Sequence, residues 1–243
     1  MKSNQAASME NVDELEIRKF EALAARWWDP DSEFKPLHEI NPLRMSYISR
    51  RINPAGKKVI DIGCGGGILA EALAQHGANV TAIDMADASL SVARLHQLES
   101  QLEIDYQKSS AEQYAKEHGG EFDIVTCLEM LEHVPEPAKV IQACHDLVKP
   151  GGTVFFSTIN RNPKSYLFAV IGAEYLLNLL PRGTHDYARF IKPSELAAWS
   201  RDSNLDLQDQ VGMAYNPLTK KYSLESNVDV NYIACYTRPE MKA

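Results

Sequence analysis

The sequence has few cysteines, no basic cluster and no long apolar run. No stretch approaches the ~20 consecutive apolar residues that a membrane-spanning helix needs, and the first residues lack the apolar core of a signal peptide. The four cysteines have no CxxC or zinc-type spacing, which disfavours a disulfide framework. The net charge is −8 without a run of like charges, which disfavours a nucleic-acid-binding surface. We therefore expect a cytoplasmic protein with reduced thiols and no nucleic-acid partner.

Strands and helices alternate along the chain from Lys58 onward. Because 44% of the residues are apolar, the chain can bury a sizeable core. The alternation predicts an α/β fold with a mostly parallel sheet and helices on both faces. Two later strands, 205–215 and 228–236, are joined so closely that they must pair antiparallel. The pattern therefore predicts a parallel sheet that ends in antiparallel strands.

The remaining segments are expected to be additions to a single domain over residues 1–243. Helical periodicity predicts an N-terminal helical cap over about 12–52. Within this cap, Asn41 followed by Pro42 is typical of a helix start. An apolar helical insertion is expected over about 161–192, because this connection is far longer than the usual link between a strand and a helix.

A glycine-rich turn follows the predicted strand at Val59–Ile62. Glycines at 63, 65 and 67 let the backbone approach a ligand closely, and the next helix offers free N–H groups there. Ile68 stands where a dinucleotide fingerprint requires its third glycine, so this pattern favours a nucleoside over a pyrophosphate. Asp84 ends the next strand, where a carboxylate can accept both ribose hydroxyls. The alternative is that Asp84 caps the following helix.

These residues carry a resemblance to a known superfamily. Asp61-x-Gly63-x-Gly65-x-Gly67, Asp84 and the turn at 149–152 resemble the Rossmann-like, class I S-adenosylmethionine-dependent methyltransferases. The resemblance implies a seven-stranded, mostly parallel sheet with an antiparallel C-terminal strand, and S-adenosylmethionine as the cofactor.

The same resemblance implies roles for residues at matching positions. Gly63 and Gly65 would face the methionine and sugar portions of the cofactor, and Asp84 would bind the ribose. The backbone carbonyl of Leu128 would accept a hydrogen bond from the cofactor's amino group. Asp61 would sit under the site and help orient the turn, Met85 would pack on the adenine, and Ser110 and Ala111 would lie along the adenine edge.

The segment Glu129–His133 follows a predicted strand at the sheet edge where ligands of open α/β folds bind. Two carboxylates and a histidine within five residues leave three interpretations open. Glu132 and His133 could furnish a general base that takes a proton from an acceptor hydroxyl, or a divalent metal site, or structural contacts. His185 is a second candidate base. Whether a metal takes part is left open.

The insertion contains an apolar run over 165–180 with Glu174 as its one charge. A helix of this length would measure ~24 Å, shorter than the ~30 Å hydrocarbon core, so it could not span a bilayer. It could lie at a membrane surface, because Arg161, Lys164 and Arg182 flank it. Alternatively, it could close over the site as a lid. Peripheral contact with the inner face of the membrane is therefore one of two expectations.

A narrower resemblance covers the chain from about Asn11 to Tyr232. The segments 26–29, 40–44, 129–134 and 229–232 together resemble the bacterial ubiquinone-biosynthesis O-methyltransferases. The resemblance implies two O-methylations, one on a polyprenyl catechol-type intermediate and one on a later demethylated quinol. It also implies that Arg44 reaches the cofactor, and it leaves other enzymes of the same pathway open as partners.

Three other functional classes account for only part of the sequence features. Another class I methyltransferase that acts on a small hydroxylated acceptor would share the glycine turn but would not need the apolar run. Ile68 and the antiparallel strands disfavour a nicotinamide oxidoreductase. A non-catalytic cofactor-binding protein would transfer no methyl group to any catechol.

Overall fold

The computed structural model describes residues 11–165, 187–216 and 218–240. Its strands are β1 Lys58–Ile62, β2 Asn79–Asp84, β3 Ile104–Lys108, β4 Phe122–Leu128, β5 Val148–Ile159, β6 Asp206–Asn216, β7 Lys221–Glu225 and β8 Asn231–Thr237. Its helices are α1 Glu14–Leu23, α2 Lys35–Ser49, α3 Ile68–Gln75, α4 Asp87–Ser100, α5 Ala111–Glu117, α6 Pro137–Leu147, the short α7 Pro163–Ser165 and α8 Pro193–Asp202. Single 3₁₀ turns lie at Ala24–Arg26, Leu131–His133 and Tyr187–Arg189.

The strands form one mixed sheet in the order β3-β2-β1-β4-β5-β8-β6-β7. Strands β1 to β5 pair in parallel, whereas β8 lies antiparallel to both β5 and β6. The predicted fold class, a class I methyltransferase sheet with an antiparallel C-terminal strand, is therefore confirmed. The described sheet has eight strands where seven were expected. The additional strand is β7, which pairs with β6 at the edge of the sheet.

Successive strand residues point to opposite faces of the sheet and build two apolar cores. Ile60, Val125 and Phe156 face one core, which also contains residues of α6 and α8. Their neighbours Val59, Ile124 and Phe155 face the other core, which contains residues of α2, α3 and α4. Burial on both faces explains why these strands are continuous apolar runs. Because β1 to β5 pair in parallel, their carboxyl ends lie at one edge of the sheet, where the loops that follow β1, β2 and β4 meet.

Two local predictions were wrong. Helix α2 begins at Lys35 with Pro36 in its first turn, so Asn41 and Pro42 lie inside the helix. Packing overrides the proline cost there, because Met45 and Ile48 are buried and Asn41 Nδ2 donates to the Ile68 carbonyl over 3.1 Å. The predicted turn at 149–152 belongs to β5, where the pairing with β4 shifts register and Gly151 has φ +76°.

The described residues include the cysteines but cover only part of the predicted insertion. The four cysteines are buried and free. None of the helices over the described residues is long and apolar enough to cross a bilayer. The apolar run 165–180 and His185 lie almost entirely outside the described residues, with Ser165 as the last one before the gap. The division of the chain into one domain with a cap and an insertion stays a prediction.

Candidate active site

A single cavity brings together most of the residues that the sequence singled out. Gly63 and Gly65 of the turn after β1 line it, as does Asp84 at the end of β2. Leu128 at the end of β4 and Arg44 of α2 also line it. The further lining residues with predicted roles are Asp61, Met85, Ser110, Ala111, Glu129 and His133. The cavity therefore lies at the carboxyl ends of the strands, as expected for an open α/β sheet.

The glycine turn is held in place by the neighbouring strand. Gly63 and Cys64 donate their N–H groups to the Ile83 carbonyl over 2.9 and 3.1 Å. Gly63 and Gly65 have φ values of +71° and +53°, a backbone region that L-residues rarely adopt. A Cβ at Gly65 would lie 2.1 Å from an atom of the Trp27 ring. Glycine is thus required both by the backbone conformation and by the close approach of Trp27.

Asp84 accepts hydrogen bonds from two backbone N–H groups, and its role in ribose binding stays a prediction. Its Oδ2 accepts the Gly65 N–H and its Oδ1 accepts the Ala86 N–H, each over 2.8 Å. Ala86 is the N-cap residue of helix α4, which has no side-chain capping bond, so the second bond fixes the turn that leads into the helix. Burial raises the pKa of Asp84, although these backbone donors oppose the rise. Each carboxylate oxygen has a second lone pair, so the side chain can still accept hydrogen bonds from the hydroxyl groups of a sugar.

Asp61 lines the cavity, but its carboxylate contacts strand β4 and not the glycine turn that it was expected to orient. Its Oδ1 accepts a hydrogen bond from Thr126 Oγ1 of β4 over 2.7 Å. Burial raises the pKa of Asp61 to about 7, although the Thr126 hydroxyl and Arg44 favour the ionised form. The carboxylate that bonds directly to the glycine turn is Asp84.

Arg44 is buried on the cavity wall and faces Glu129. Its Nη2 lies 3.1 Å from Glu129 Oε1. Neither Nε nor Nη2 finds a hydrogen-bond acceptor of suitable geometry among the described residues. A buried guanidinium with donors to spare fits a carboxylate ligand, and the methionine end of S-adenosylmethionine carries one. The residues present therefore fit this cofactor.

Glu129 is held in a strained conformation directly after β4. Its φ of +55° lies in the left-handed region, which is costly for a residue with a side chain. Ser157 Oγ donates to its carboxylate over 2.7 Å, and Asn231 Nδ2 lies 3.3 Å from both carboxylate oxygens. Sequence spacing did not indicate these contacts, because β5 and β8 contribute the partners. Glu129 thus has a fixed orientation toward Arg44.

Glu132 and His133 have separate surroundings. Glu132 is buried, accepts a hydrogen bond from Thr158 Oγ1 over 2.7 Å, and is not among the cavity-lining residues. Burial, together with the charge of Glu129, raises its pKa to about 7. His133 lines the cavity, and its Nδ1 lies 2.9 Å from Glu16 Oε2 of helix α1. The prediction that both residues are catalytic stays a prediction, and the contacts favour His133 as the group that meets a substrate.

His133 and Glu16 shift each other's protonation. Burial lowers the pKa of His133, but the Glu16 hydrogen bond and the nearby carboxylates outweigh this, so the net pKa is raised. The hydrogen bond with His133 lowers the pKa of Glu16 to about 2, despite partial burial. Glu16 was not identified from the sequence, because 117 positions separate the two residues.

The arrangement does not assemble a metal centre within the part of the chain that the structure describes. No group of three His, Cys, Asp or Glu side chains is placed to hold an ion there. Instead, Glu129 faces Arg44, Glu132 bonds to Thr158 and His133 bonds to Glu16.

Comparisons with known proteins show the family to which the chain belongs. Residues 37–210 match the family model described as a methyltransferase domain. The ubiquinone biosynthesis O-methyltransferase of Pseudomonas aeruginosa strain UCBPP-PA14 is 69% identical over 225 residues, which are 93% of this chain and 97% of the relative. The enzyme of the same description from Azotobacter vinelandii is 67% identical over 232 residues, 96% of this chain and 100% of the relative.

Solved structures of lower sequence identity share the fold. Magnesium protoporphyrin IX methyltransferase from Synechocystis PCC 6803, with bound S-adenosylhomocysteine, has a TM-score of 0.66 at 19% identity, covering 91% of this chain and 94% of that one. A possible histamine N-methyltransferase from Thermotoga maritima has a TM-score of 0.64 at 14% identity, covering 92% and 99%. On the sequence relatives and the family model, the chain belongs to the ubiquinone biosynthesis O-methyltransferases.

Proposed function

We propose that this S-adenosylmethionine-dependent O-methyltransferase methylates phenolic hydroxyls of polyprenyl catechol-type and demethylubiquinol intermediates. The observation that carries the proposal is the shared cavity. One of its walls has the glycine turn, Asp84 and Arg44, and His133 lines it as well. A site that holds a cofactor and a proton acceptor together can place a hydroxyl against a methyl donor.

On the cofactor side, four residues have assigned roles. Arg44 binds the methionine carboxylate, and Asp84 accepts the ribose hydroxyls with the lone pairs that Gly65 and Ala86 leave available. Gly63 gives the backbone room for the ligand, and the Leu128 carbonyl accepts from the cofactor's amino group. The positive charge of Arg44 thus faces the amino-acid end of the cofactor, and the negative charge of Asp84 faces its nucleoside end.

On the acceptor side, His133 takes the phenolic proton. When bound, S-adenosylmethionine would supply an electrophilic methyl group: the acceptor oxygen would bond to the methyl carbon, the carbon–sulfur bond would break, and S-adenosylhomocysteine would leave. A phenol has a pKa near ~10, so it needs a base to become a good nucleophile at neutral pH. His133 Nδ1 is engaged by Glu16, which leaves Nε2 to accept the proton.

Metal activation of the phenol is the alternative that the sequence left open. The contacts support the base assignment, because Glu129, Glu132 and His133 each engage a different protein partner. The metal alternative requires that EDTA abolish methyl transfer and that Mg²⁺ restore it. The base assignment requires that His133→Ala lose activity at every Mg²⁺ concentration.

The substrate tail leads to a second part of the proposal. A polyprenyl chain resides in the membrane, so the enzyme must reach the bilayer surface. We assign this contact to the apolar run 165–180, with its flanking Arg161, Lys164 and Arg182. The location that follows is the cytoplasm with peripheral association at the inner face of the membrane. Other enzymes of ubiquinone biosynthesis are candidate partners there.

Quinone profiling by mass spectrometry tests the substrate class. Cells that lack this gene should accumulate a hydroxylated polyprenylphenol and lose ubiquinone. The wild-type gene should restore the quinone, whereas a gene carrying Asp84→Ala should restore far less. A normal quinone profile in the deletion strain would reject the proposal.

A further inference from the structure

The cavity is lined in part by an element that carries no sequence motif, the N-terminal helix α1 with the residues before it. Asn11, Asp13, Glu16 and Phe20 all contribute to the lining. These residues come from outside the glycine turn, the strand ends and the Glu129–His133 segment that define the site. Their contacts therefore show whether α1 is a passive cover or takes part in the reaction.

The N-terminal end of helix α1 is anchored to other elements of the site by residues that precede Glu16. Asn11 Nδ2 donates to Glu112 Oε1 over 2.7 Å, and Asn11 Oδ1 accepts the Glu136 N–H over 2.8 Å. Two residues later, Asp13 Oδ2 accepts from Arg189 Nη2 over 2.6 Å. These bonds tie the start of the helix to α5, to the loop before α6 and to the turn before α8. Glu16, three residues after Asp13, is thus held in a defined position.

Glu16 is used on both of its carboxylate oxygens. Oε2 lies 2.9 Å from His133 Nδ1, and Oε1 accepts from Lys19 Nζ over 2.7 Å. The Phe20 ring packs edge-on against the imidazole, with 5.1 Å between the ring centroids and 87° between the planes. Lys19 therefore fixes the carboxylate, and Phe20 fixes the plane of the imidazole ring. His133 Nε2 makes no hydrogen bond to any described residue.

We propose that Glu16 is a positioning residue that sets the tautomer and orientation of His133, so that the base is complete when α1 is docked. This rests on the proposed role of His133 as the proton acceptor. The Glu16 carboxylate accepts a hydrogen bond, so the Nδ1 atom of His133 must carry the proton. Nε2 then has the free lone pair, takes the phenolic proton as the methyl group is transferred, and becomes an imidazolium that the adjacent carboxylate stabilises.

The charges around His133 set the direction of the pH effect. Glu16 faces it from α1, with Lys19 bonded to the other oxygen of that carboxylate, and Glu132 and Glu129 are the nearby charges of its own loop. The base is neutral above its raised pKa, so methyl transfer increases as the pH rises through that value. Without the Glu16 charge, burial has less opposition and the pKa of His133 falls. The acid limb of the rate profile then moves to lower pH.

The test compares Glu16→Gln with Glu14→Gln, the same substitution on an exposed position of the same helix. We expect Glu16→Gln to lower kcat by at least about tenfold, within the ~10²–10⁴-fold that a general base supplies, and to shift the acid limb to lower pH. The Kd for S-adenosylmethionine and the activity of Glu14→Gln should stay at wild-type values. A Glu16→Gln enzyme with wild-type kcat and an unmoved acid limb would overturn the proposal.

A double-mutant cycle separates a positioning role from a structural one. In a His133→Ala background, Glu16→Gln should cause no further loss of kcat, because the carboxylate acts through the imidazole. Independent, additive losses would overturn the proposal while leaving His133 as the base. If His133→Ala keeps full activity, the base assignment of the proposed function fails together with this proposal.

Discussion

Arg44 Nη2 and Glu129 Oε1 lie 3.1 Å apart on the cavity wall, one from helix α2 and the other from the loop after β4. The side chain of Arg44 is 5% exposed and that of Glu129 is 16% exposed, so the pair is largely shielded from water. Such a pair is strong when complete and costly when one partner is removed. Glu129 therefore fixes the guanidinium on the cavity wall, where we propose that it binds the carboxylate of the cofactor.

Replacing this arginine should weaken cofactor binding. A charged hydrogen bond contributes ~1.5–3 kcal/mol, so Arg44→Gln should raise the Kd for S-adenosylmethionine by ~10- to 150-fold in a calorimetric titration. Arg50→Gln, at an exposed position at the end of the same helix, is the matched control and should bind normally. Equal Kd values for the two variants would remove Arg44 from the binding site.

Asp84 should prove to be both a ligand residue and a structural one. Asp84→Ala removes the acceptor for the ribose, which should cost about 2–3 kcal/mol, or ~30- to 150-fold in Kd. It also leaves the N–H groups of Gly65 and Ala86 without their acceptor, so the melting temperature should fall. Asp84→Asn keeps one carbonyl acceptor and should melt at a higher temperature than Asp84→Ala. If Asp84→Ala binds the cofactor like the wild type, Asp84 only holds the backbone of Gly65 and Ala86 in place.

The contact between Trp27 and the glycine turn can be tested at Gly66. A Cβ at this position would lie 2.1 Å from two atoms of the buried Trp27 indole. Overpacking costs ~1–3 kcal/mol, so Gly66→Ala should open the N-terminal segment ~5- to 150-fold more often and speed its cleavage by trypsin. At Gly119 the nearest atoms are 3.6 Å away, which makes Gly119→Ala the control. Equal cleavage rates would show that Trp27 does not pack on the turn in solution.

The buried carboxyl of Glu132 should make stability fall as the pH rises. Its pKa is about 7 in the folded chain, against an ordinary value of 4.5. Between these two values the unfolded chain has lost a proton that the folded chain keeps, so unfolding becomes easier by about 1.4 kcal/mol per pH unit. Glu132→Gln should therefore gain stability relative to the wild type between pH 5 and pH 7.5, as measured by urea unfolding.

The surface residue Glu136 gives the control for that measurement. Glu136→Gln removes an exposed carboxylate a few positions along the same loop, and its stability should follow the wild-type pH dependence. Parallel pH curves for Glu132→Gln and the wild type would mean that Glu132 ionises normally in the folded enzyme.

Membrane association should depend on the apolar run 165–180. Liposomes that contain anionic lipid should sediment the wild-type enzyme, since buried apolar area and headgroup charge both favour binding. Leu176→Glu together with Leu180→Glu should leave the enzyme in the supernatant with its Kd for the cofactor unchanged. Sedimentation that is the same for both proteins would reject the membrane contact.

The residues that the sequence assigned to the cofactor line one cavity, whereas a contact on the acceptor side was not anticipated. Gly63, Gly65 and Asp84 were identifiable because a strand, a glycine turn and a terminal carboxylate occur at fixed spacing within one βαβ unit. Arg44 was assigned from family resemblance, and the structure places it in the same cavity. Glu16 was not identified, since the packing that brings α1 to His133 joins residues with no local relationship.

The errors in the fold prediction have the same physical origin. Pro42 was interpreted as a helix start because its intrinsic preference is strong, yet helix α2 includes it. Burial of the α2 side chains against the sheet decides where the helix begins, and local preference cannot report this. Strand β7 is short and lies at the sheet edge, so its sequence pattern is weak.

The proposed transfer of a methyl group from S-adenosylmethionine to a prenylated phenol in this cavity can be measured directly. The direct measurement is mass spectrometry of the purified enzyme incubated with S-adenosylmethionine and a short-chain prenyl catechol. We predict an O-methylated catechol and an equal amount of S-adenosylhomocysteine, with much slower turnover by His133→Ala. If the enzyme binds S-adenosylmethionine but forms no O-methylated product from catechol or quinol, this cavity does not carry out the proposed transfer.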